Sequence, residues 1–462
     1  MGYAFITVFP HAATWFDLIE LAVTVVGMPK GLIKPAHRVR GTRRTGVTAV
    51  VACALILTGA AGAHAAPTSY EAGIALTSSS AYPAPGQPVE PAPSPSAEQT
   101  TTVEKAEGDL RVATLHANLT AESLDGLVAS LATGNDPRAR VLAETVQLND
   151  PDVLLLTGVS FDENHQIAQA LQQHFHIGQN NQSGVDYPYY FTAPTNSGMD
   201  SGADLDRDGV IGGPTDAIGY GTYPGQYGMI VFSKHPILES EIRTFQNFLW
   251  RDMPSSSMPA ERYSELEQSV MRLAETTLWD VPVLPEGSDE PLHVIANSVA
   301  TPPVAEEIDV DRGNDKRRMI ADYFSGRGSY IYDDDGRTGP LSPDAEYVVV
   351  GQPASKQGTL GDEEDLSVLL DSGLVQDPAP EAVTEAPLSA RPGGTAMTDE
   401  TATRAVSGGH DVRASFILPS WGLEISESGV FWPSEGEVGY RLVDPYSTSN
   451  PADRLVWVDL EP

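Results

Sequence analysis

Residues 151–160 read Pro-Asp-Val-Leu-Leu-Leu-Thr-Gly-Val-Ser, and this stretch decides the fold of the chain. The apolar run Val153–Leu156 lies between a proline–aspartate turn and a helical pattern that starts near Asp162. An apolar run of this length, bounded by turn signals, predicts a strand buried on both faces. Such a strand carries the residues after it to the rim of a sheet, where α/β folds place their chemistry. Those residues offer no carboxylate and no imidazole: Thr157, Gly158, Val159 and Ser160.

The charge balance limits the partners that the protein can bind. The chain of 462 residues has 28 Lys and Arg against 63 Asp and Glu, a formal net charge of −35. The first 66 residues hold six of the basic residues and only two of the acidic ones, so the remainder is more acidic still. A surface of this kind repels nucleic acids and anionic membranes, and nucleic acid is not expected as a partner.

An N-terminal extension with an export signal is predicted in residues 1–66. The basic region Lys34–Arg44 precedes the apolar run Val47–Leu57, and an Ala-x-Ala cleavage site ends at Ala65. The apolar run has about 11 residues, too few to span a bilayer, so no transmembrane helix is expected in the mature chain. The protein is therefore expected to be secreted or to lie in the cell envelope. Both Met1 and Met28 remain open as the true start.

Residues 67–108 are rich in Pro, Ser, Thr and Ala and have no periodic apolar face, so they are predicted to form a disordered linker. The only cysteine, Cys53, lies in the predicted leader. Its position excludes disulfides, thiolate metal sites and cysteine catalysis from the mature protein.

The folded body is predicted over residues 109–462 as strands mixed with helices. Strands are expected near 110–115, 153–156, 227–233, 241–249, 292–297 and 346–350, with further strands after residue 412. Helices are expected near 138–148, 163–174 and 315–324. This mixture predicts an α/β fold in which two sheets pack together with helices outside.

Nine segments of the body, taken in order, resemble those of secreted members of the endonuclease/exonuclease/phosphatase superfamily. They are RVATL (111–115), PDVLLL (151–156), YGMIVFSKHPI (227–237), TFQNFLWRDMP (244–254), LWDVPV (278–283), ATPPV (300–304), LPSWGL (418–423), SGVFWP (428–433) and RLVWVDL (454–460). The resemblance implies a four-layer α-β-β-α sandwich and hydrolysis of phosphoester bonds with Mg²⁺ or Mn²⁺. In that chemistry carboxylates hold a hard cation, a histidine activates water, and Asn or His donors stabilise the oxyanion.

Each family position that can be aligned carries a different residue in this chain. His116 stands where the family has a metal-site Asn, and Gly158 stands where it has a metal-binding Glu. Val299 replaces a His that contacts phosphate. Gln352 and Ala354 replace the Asp and Asn of the family's Gly-Asp-x-Asn motif.

Two further aligned positions also differ from the residues of the family. Ser415 stands where the family has an Asp that orients the catalytic histidine. Pro451-Ala452-Asp453 stands where a Ser-Asp-His supplies a metal ligand and the general base. Loss of one oxyanion donor typically costs about 100- to 1,000-fold in rate, and loss of the general base costs about 100- to 10,000-fold. The sequence therefore predicts a pseudoenzyme with no catalytic residues and no cofactor at the old active site.

A cation is predicted elsewhere, in the long Gly/Asn/Asp-rich stretch 180–226. Asp204, Asp206 and Asp208 precede Gly209 as Asp-x-Asp-x-Asp-Gly, the pattern with which calcium loops begin. The twelfth position of such a loop would be Thr215, followed by Asp216. Two interpretations stay open, a structural Ca²⁺ that holds the loop together and a solvated acidic turn.

Beyond residue 66 the basic residues cluster only at Lys316-Arg317-Arg318. The cluster is interpreted as the solvated face of a helix rather than as a binding patch.

Three functions remain in competition at this point. The first is a secreted pseudoenzyme that binds an unknown ligand or protein partner. The second is an active metal-dependent phosphodiesterase or phosphatase, and the third is a cell-envelope module held together by Ca²⁺.

Overall fold

The computed structural model describes residues 104–299, 307–352, 364–382, 401–404, 412–444 and 447–461, and the structural statements below concern these residues. The predicted export signal, most of the predicted linker and Ala354 lie outside them.

Two mixed β-sheets form the centre of the fold. The strands are β1 (Leu110–Leu119), β2 (Val153–Val159), β3 (Tyr189–Phe191), β4 (Gly228–Ser233), β5 (Arg243–Thr244), β6 (Leu278–Val283), β7 (Leu292–Asn297), β8 (Glu346–Gly351), β9 (Phe416–Pro419), β10 (Ile425–Val430) and β11 (Val456–Leu460). One sheet has the order β10-β11-β1-β2-β4-β3, and the other has the order β5-β6-β7-β8-β9.

Helices cover the outer faces of the two sheets. They are α1 (Leu124–Ala132), α2 (Pro137–Asn149), α3 (Gln166–His176), α4 (Glu265–Gln268), α5 (Glu307–Phe324) and α6 (Glu364–Leu370). The side chain of Asp136 caps α2, and Pro137 occupies the first helical position, where its missing N–H costs nothing. The predicted four-layer α-β-β-α sandwich is confirmed.

The strand predicted from the apolar run Val153–Leu156 is β2, and it lies inside its sheet. All seven residues of β2 are buried, between β1 in parallel and β4 in antiparallel orientation. The main apolar core lies between the two sheets and joins residues of both, among them Val112, Leu155, Val350 and Ile417. A second apolar cluster lies between the other sheet and α5 and α6.

One predicted strand is wrong over most of its length. Of residues 241–249, only Arg243–Thr244 joins a sheet. The backbone N–H groups of Gln246 and Asn247 donate instead to the carboxylate of Asp334, at 3.0 and 2.7 Å. Phe245 and Phe248 are buried in the second cluster. Their apolar pattern therefore reflects burial of a loop rather than a strand.

No helix among the described residues is both long enough and apolar enough to span a membrane.

Candidate functional site

The ends of β1 and β2 bring His116 and Gly158 together. His116 pairs with Thr157 across the two parallel strands, and its Nδ1 lies 3.0 Å from the Thr157 hydroxyl oxygen. Gly158 has a φ of +64°, and a Cβ added to it would lie 2.4 Å from Cε1 of the His116 ring. Real contacts of this kind are never so short, so the imidazole already fills the space that a side chain at position 158 needs.

The surroundings of His116 favour the neutral imidazole. Burial lowers the pKa of His116 below 6.5, and the nearby charge of Arg404 lowers it further. Asp453 and the Gln352 amide act in the opposite direction, but burial prevails. At neutral pH the ring is therefore an uncharged group that fills space at the strand ends.

Asp453 is held by a partner that the sequence did not indicate. Both of its carboxylate oxygens accept hydrogen bonds from Arg404, from Nε and from a terminal guanidinium nitrogen, each at 2.8 Å. The Asp453 side chain is 2% exposed and that of Arg404 is 13% exposed. The pair is bidentate and almost fully buried, so the guanidinium occupies the side of the carboxylate from which a cation would bind.

Arg404 belongs to a short segment, residues 401–404, that we call the strap. Ala402 and Thr403 in it are fully buried. The Thr403 hydroxyl accepts hydrogen bonds from the backbone N–H groups of Ala414 and Ser415, at 2.8 and 3.0 Å. The N–H of Arg454 donates to the Thr403 carbonyl at 2.7 Å. The strap is thus tied both to the residues before β9 and to those before β11, and its Arg404 pairs with Asp453 there.

The structure brings together most of the site positions predicted from the sequence. His116, Gly158, Gln352 and Asp453 lie around one point between the two sheets. Ser415 is fully buried beside the strap, and Val299 is buried just beyond the end of β7. Ala354 lies outside the described residues. Sequence reasoning missed Arg404 and Thr403 because they lie in a loop-like stretch with no periodic pattern.

The interpretation of Lys316-Arg317-Arg318 as a solvated helix face is wrong. Lys316 and Arg317 are 0% and 1% exposed. The Lys316 ammonium donates to Glu275 at 2.7 Å and to the Ser298 carbonyl at 3.1 Å. Burial lowers the pKa of Lys316, although Glu275 opposes the shift. Lys316 is therefore buried in an ion pair rather than solvated.

The second candidate site is the acidic loop that contains Asp204, Asp206 and Asp208. Each of the three residues offers a carboxylate oxygen within 4.8 Å of the others. The loop is held in shape by its own backbone: the N–H of Gly209 donates to Asp204 at 3.1 Å, and that of Asp208 donates to Asp206 at 3.0 Å. These contacts turn the three carboxylates toward one another.

Two further features bear on whether this loop holds a cation. Asp216 accepts hydrogen bonds from the N–H groups of Leu205, Asp206 and Gly212, so it closes the loop instead of facing its centre. The Oδ1 atom of Asp204 is buried and has no hydrogen-bond partner. No Lys or Arg in the described part of the chain forms an ion pair with the three carboxylates. A hard cation would satisfy these oxygens.

One family model matches part of the chain. Residues 125–327 match the model of the Endonuclease/Exonuclease/phosphatase family. No curated protein matches the sequence of the chain. A family protein from Leptotrichia buccalis is 13% identical, with 76% of this chain and 100% of that chain covered and a TM-score of 0.41.

Other solved structures are similarly distant. Sphingomyelinase C from Streptomyces griseocarneus is 14% identical, with 76% of this chain and 99% of that chain covered and a TM-score of 0.39. The catalytic domain of human Nocturnin is 10% identical, with 77% and 96% covered and a TM-score of 0.40. Likenesses at this level carry no inference about activity.

Proposed function

We propose that this chain belongs to the endonuclease/exonuclease/phosphatase family, whose model matches residues 125–327, and that it is a pseudoenzyme that has lost metal-dependent phosphoester hydrolysis and acts by binding. The observation that carries the proposal is the bidentate pair of Asp453 with Arg404, at 2.8 Å for both hydrogen bonds. A divalent cation requires carboxylate oxygens, and both oxygens of this carboxylate are already engaged.

The filled space at Gly158 supports the same proposal. The family position is a Glu, whereas here the His116 ring lies where the side chain would begin. His116 cannot easily replace the missing base, because its Nδ1 contacts Thr157 and not a carboxylate that could orient it. The metal ligand, the general base and the carboxylate that would orient the base are therefore all missing from this site.

Hydrolysis of bis-p-nitrophenyl phosphate and p-nitrophenyl phosphate tests the proposal. The natural chain is expected to show no turnover that depends on Mg²⁺ or Mn²⁺. Metal-dependent turnover by the natural chain would contradict it and would favour the active phosphodiesterase or phosphatase.

A restored variant sharpens the test, and the structure dictates its composition. Gly158→Glu needs His116→Asn beside it, because the ring blocks the new side chain. Restoring Ser-Asp-His at 451–453 needs Arg404→Ala, because Arg404 would otherwise remain without its partner. Gln352→Asp and Ala354→Asn complete the set. A gain of activity in this variant alone would show that these losses suffice to explain the inactive natural chain.

We also propose that Asp204, Asp206 and Asp208 hold a structural Ca²⁺. The buried, unpartnered Oδ1 of Asp204 favours this function over a solvated turn. The ion would neutralise three carboxylates that otherwise repel one another and would join residues along the loop. A melting temperature that rises with Ca²⁺, and does so less in Asp204→Asn, tests the site.

We further propose that the protein is exported, on the strength of the basic and apolar segments before Ala65. Its strongly negative charge makes a nucleic acid an unsuitable ligand. N-terminal sequencing of the protein recovered from the culture medium tests both the export and the cleavage position.

A further inference from the structure

The tip of the acidic loop carries two neighbouring apolar side chains that are exposed to water. Val210 and Ile211 are 63% and 66% exposed. With Leu266, at 72%, they make up three of the six large apolar side chains that are exposed among the described residues. Single exposed apolar side chains are ordinary, but neighbouring ones mark a surface that contacts an apolar partner.

Val210 and Ile211, which we call the apolar tip, belong to the same turn as the three carboxylates. The N–H of Val210 donates to Asp208 at 2.7 Å, and the N–H of Gly212 donates to Asp216 at 2.8 Å. Asp208 is itself exposed. A cation bound by the carboxylates would therefore lie near the surface, beside the apolar tip.

Helix α4 contacts the loop and brings a third apolar side chain toward it. The guanidinium of Arg207, in the loop, lies 3.5 Å from the carboxylate of Glu267 and 5.0 Å from the centre of the Tyr263 ring. Leu266 precedes Glu267 in α4 and is exposed. The ion pair thus holds an additional apolar side chain close to the acidic loop.

The acidic loop offers a cation ligands but too few to surround it. Oδ1 of Asp204 is buried and has no hydrogen-bond partner, and three carboxylates converge here. The next candidate ligands are engaged, because the Thr215 hydroxyl donates to Asp206 and Asp216 accepts from three backbone N–H groups. Ca²⁺ takes about six to eight oxygen ligands. An ion held here therefore keeps positions open to oxygens from outside the chain.

An apolar tip beside an open cation position fits one kind of partner, a phospholipid bilayer. Lipid phosphates supply the hard oxygen ligands that Ca²⁺ prefers, and the acyl chains begin directly below them. A soluble phosphate would satisfy the ion but leave Val210 and Ile211 in water. An apolar protein surface would cover the tip without supplying the missing oxygens.

The charge of the chain selects the kind of lipid. The formal net charge of −35 repels an anionic surface. A zwitterionic lipid has no net charge, and its phosphate oxygens remain available to the ion. A zwitterionic bilayer therefore suits both the loop and the rest of the surface.

We propose that the acidic loop, with Ca²⁺ bound, docks the protein on a zwitterionic phospholipid bilayer. Lipid phosphates complete the coordination of the ion, and Val210 and Ile211 enter the boundary between headgroups and acyl chains. The proposal rests on the proposed Ca²⁺ site, to which it gives a partner.

Co-sedimentation of the full chain with phosphatidylcholine vesicles tests the proposal, in Ca²⁺ and in a chelator. Binding in Ca²⁺ that the chelator reverses is expected. Mg²⁺ should support less binding, because this smaller ion demands a stricter geometry and keeps its own waters. Equal binding in Ca²⁺ and in the chelator would overturn the proposal, since a segment other than the loop would then hold the vesicles.

The double variant Val210→Ser, Ile211→Ser locates the binding. Vesicle binding is expected to weaken about 10- to 100-fold for each side chain that no longer enters the bilayer. The rise of the melting temperature with Ca²⁺ should remain, because neither substitution removes a carboxylate. Equal binding by the double variant and the natural chain would contradict the role of the apolar tip.

Trp421→Ser is the matched control for the double variant. Trp421 is 65% exposed, and it follows Ser420, whose N–H donates to Tyr347 near the start of β8. The long loop is bonded to the other end of this sheet, where the N–H of Asn196 donates to Thr276 before β6. Trp421→Ser should therefore bind vesicles as the natural chain does. An equal loss in this variant and in the double variant would overturn the assignment to the loop.

The Ca²⁺ site and the bilayer fail in different ways. A melting temperature that rises with Ca²⁺, without vesicle binding, would overturn only the bilayer. A chain that neither gains stability from Ca²⁺ nor binds vesicles would overturn both proposals.

Discussion

The site around His116 and Asp453 and the acidic loop both contain carboxylates, but the two regions differ in what neutralises them. At the old site Asp453 is paired with Arg404, a cation supplied by the chain itself. In the loop Asp204, Asp206 and Asp208 lie together, and the described residues supply no Lys or Arg to them. Asp453 is thus neutralised by the chain itself, whereas the loop is where we propose a bound Ca²⁺.

The difference also explains why one region is closed and the other is not. The guanidinium of Arg404 is planar and fixed, so its two hydrogen bonds seal Asp453 under the strap. Asp208 remains exposed, and a hydrated ion can approach it.

The largest expected effect comes from removing Arg404. Arg404→Met keeps much of the side-chain volume but leaves Asp453 buried without a partner, which typically costs about 3–5 kcal/mol of unfolding free energy. Asp453→Asn in the same chain should recover part of this loss. Urea unfolding of the single and double variants measures both.

The matched control is Arg327→Met. Arg327 also pairs with an aspartate, at 2.8 Å, but its side chain is 66% exposed. Exposed pairs are worth about 0–1 kcal/mol. If Arg404→Met costs no more than this control, the buried pair does not hold the old site closed.

Gly158→Ala is expected to have the next largest effect. The new Cβ would meet the His116 ring at 2.4 Å and would place alanine at a φ of +64°. Overpacking costs about 1–3 kcal/mol and the left-handed backbone about 1–2 kcal/mol, so a loss of about 2–5 kcal/mol is expected. Adding His116→Asn should relieve only the overpacking. Thermal or urea unfolding of the single and double variants measures the two costs.

Gly134→Ala separates the two contributions. Gly134 has a φ of +69°, and nothing lies within 4 Å of an added Cβ. Gly134→Ala should therefore lose only the unfolding free energy that the left-handed backbone costs. Equal losses at Gly134 and Gly158 would mean that the His116 ring moves away at little cost and leaves space for a side chain.

Calcium should stabilise the protein through the acidic loop by an amount set by mass action. At a Ca²⁺ concentration 100 times the dissociation constant, the gain is about 2.7 kcal/mol. Asp206→Asn should reduce the gain, because it removes charge from the group of three. The melting temperatures of the natural chain and of Asp206→Asn are measured with Ca²⁺, with Mg²⁺ and with a chelator.

A second acidic turn provides the control for this experiment. Asp333 begins an Asp-Asp-Asp-Gly turn but is paired with Arg243 and Arg337, at 2.8 and 3.0 Å. Asp335→Asn in that turn should leave the response to Ca²⁺ unchanged. If the natural chain does not respond to Ca²⁺ at all, the loop is a solvated acidic turn.

The sequence predicts what depends on neighbours along the chain, and it misses what depends on distant partners. The apolar run of β2 identifies a central strand because its burial pattern is continuous. Arg404 and Asp453 are 49 residues apart, and Lys316 and Glu275 are 41 apart. No local pattern marks either pair, so the closed site and the burial of Lys316 could not be predicted.

The departures from the residue types that the family resemblance implies can be read from the sequence, but the way in which the space around them is filled cannot. His116 and Gly158 are each visible in the sequence as replacements. Only the fold shows that the large residue fills the space left by the small one. The two substitutions are therefore coupled, and reversing either one alone is expected to fail.

The smallest expected effect is a loss of stability in acid from buried histidines. Burial lowers the pKa of both His116 and His174 below 6.5, although Asp453 and Asp136 respectively oppose the shift. Below pH 6.5 the unfolded chain then binds more protons than the folded chain, so stability falls as the pH falls. Each histidine contributes at most about 1.4 kcal/mol per pH unit. Urea unfolding between pH 7.5 and about pH 5 measures the slope, which should become shallower in His174→Gln and again when His116→Asn is added. An unchanged slope in the double variant would mean that carboxylates dominate acid unfolding, and that the neutral ring beside Gly158 does not limit the stability of the closed site.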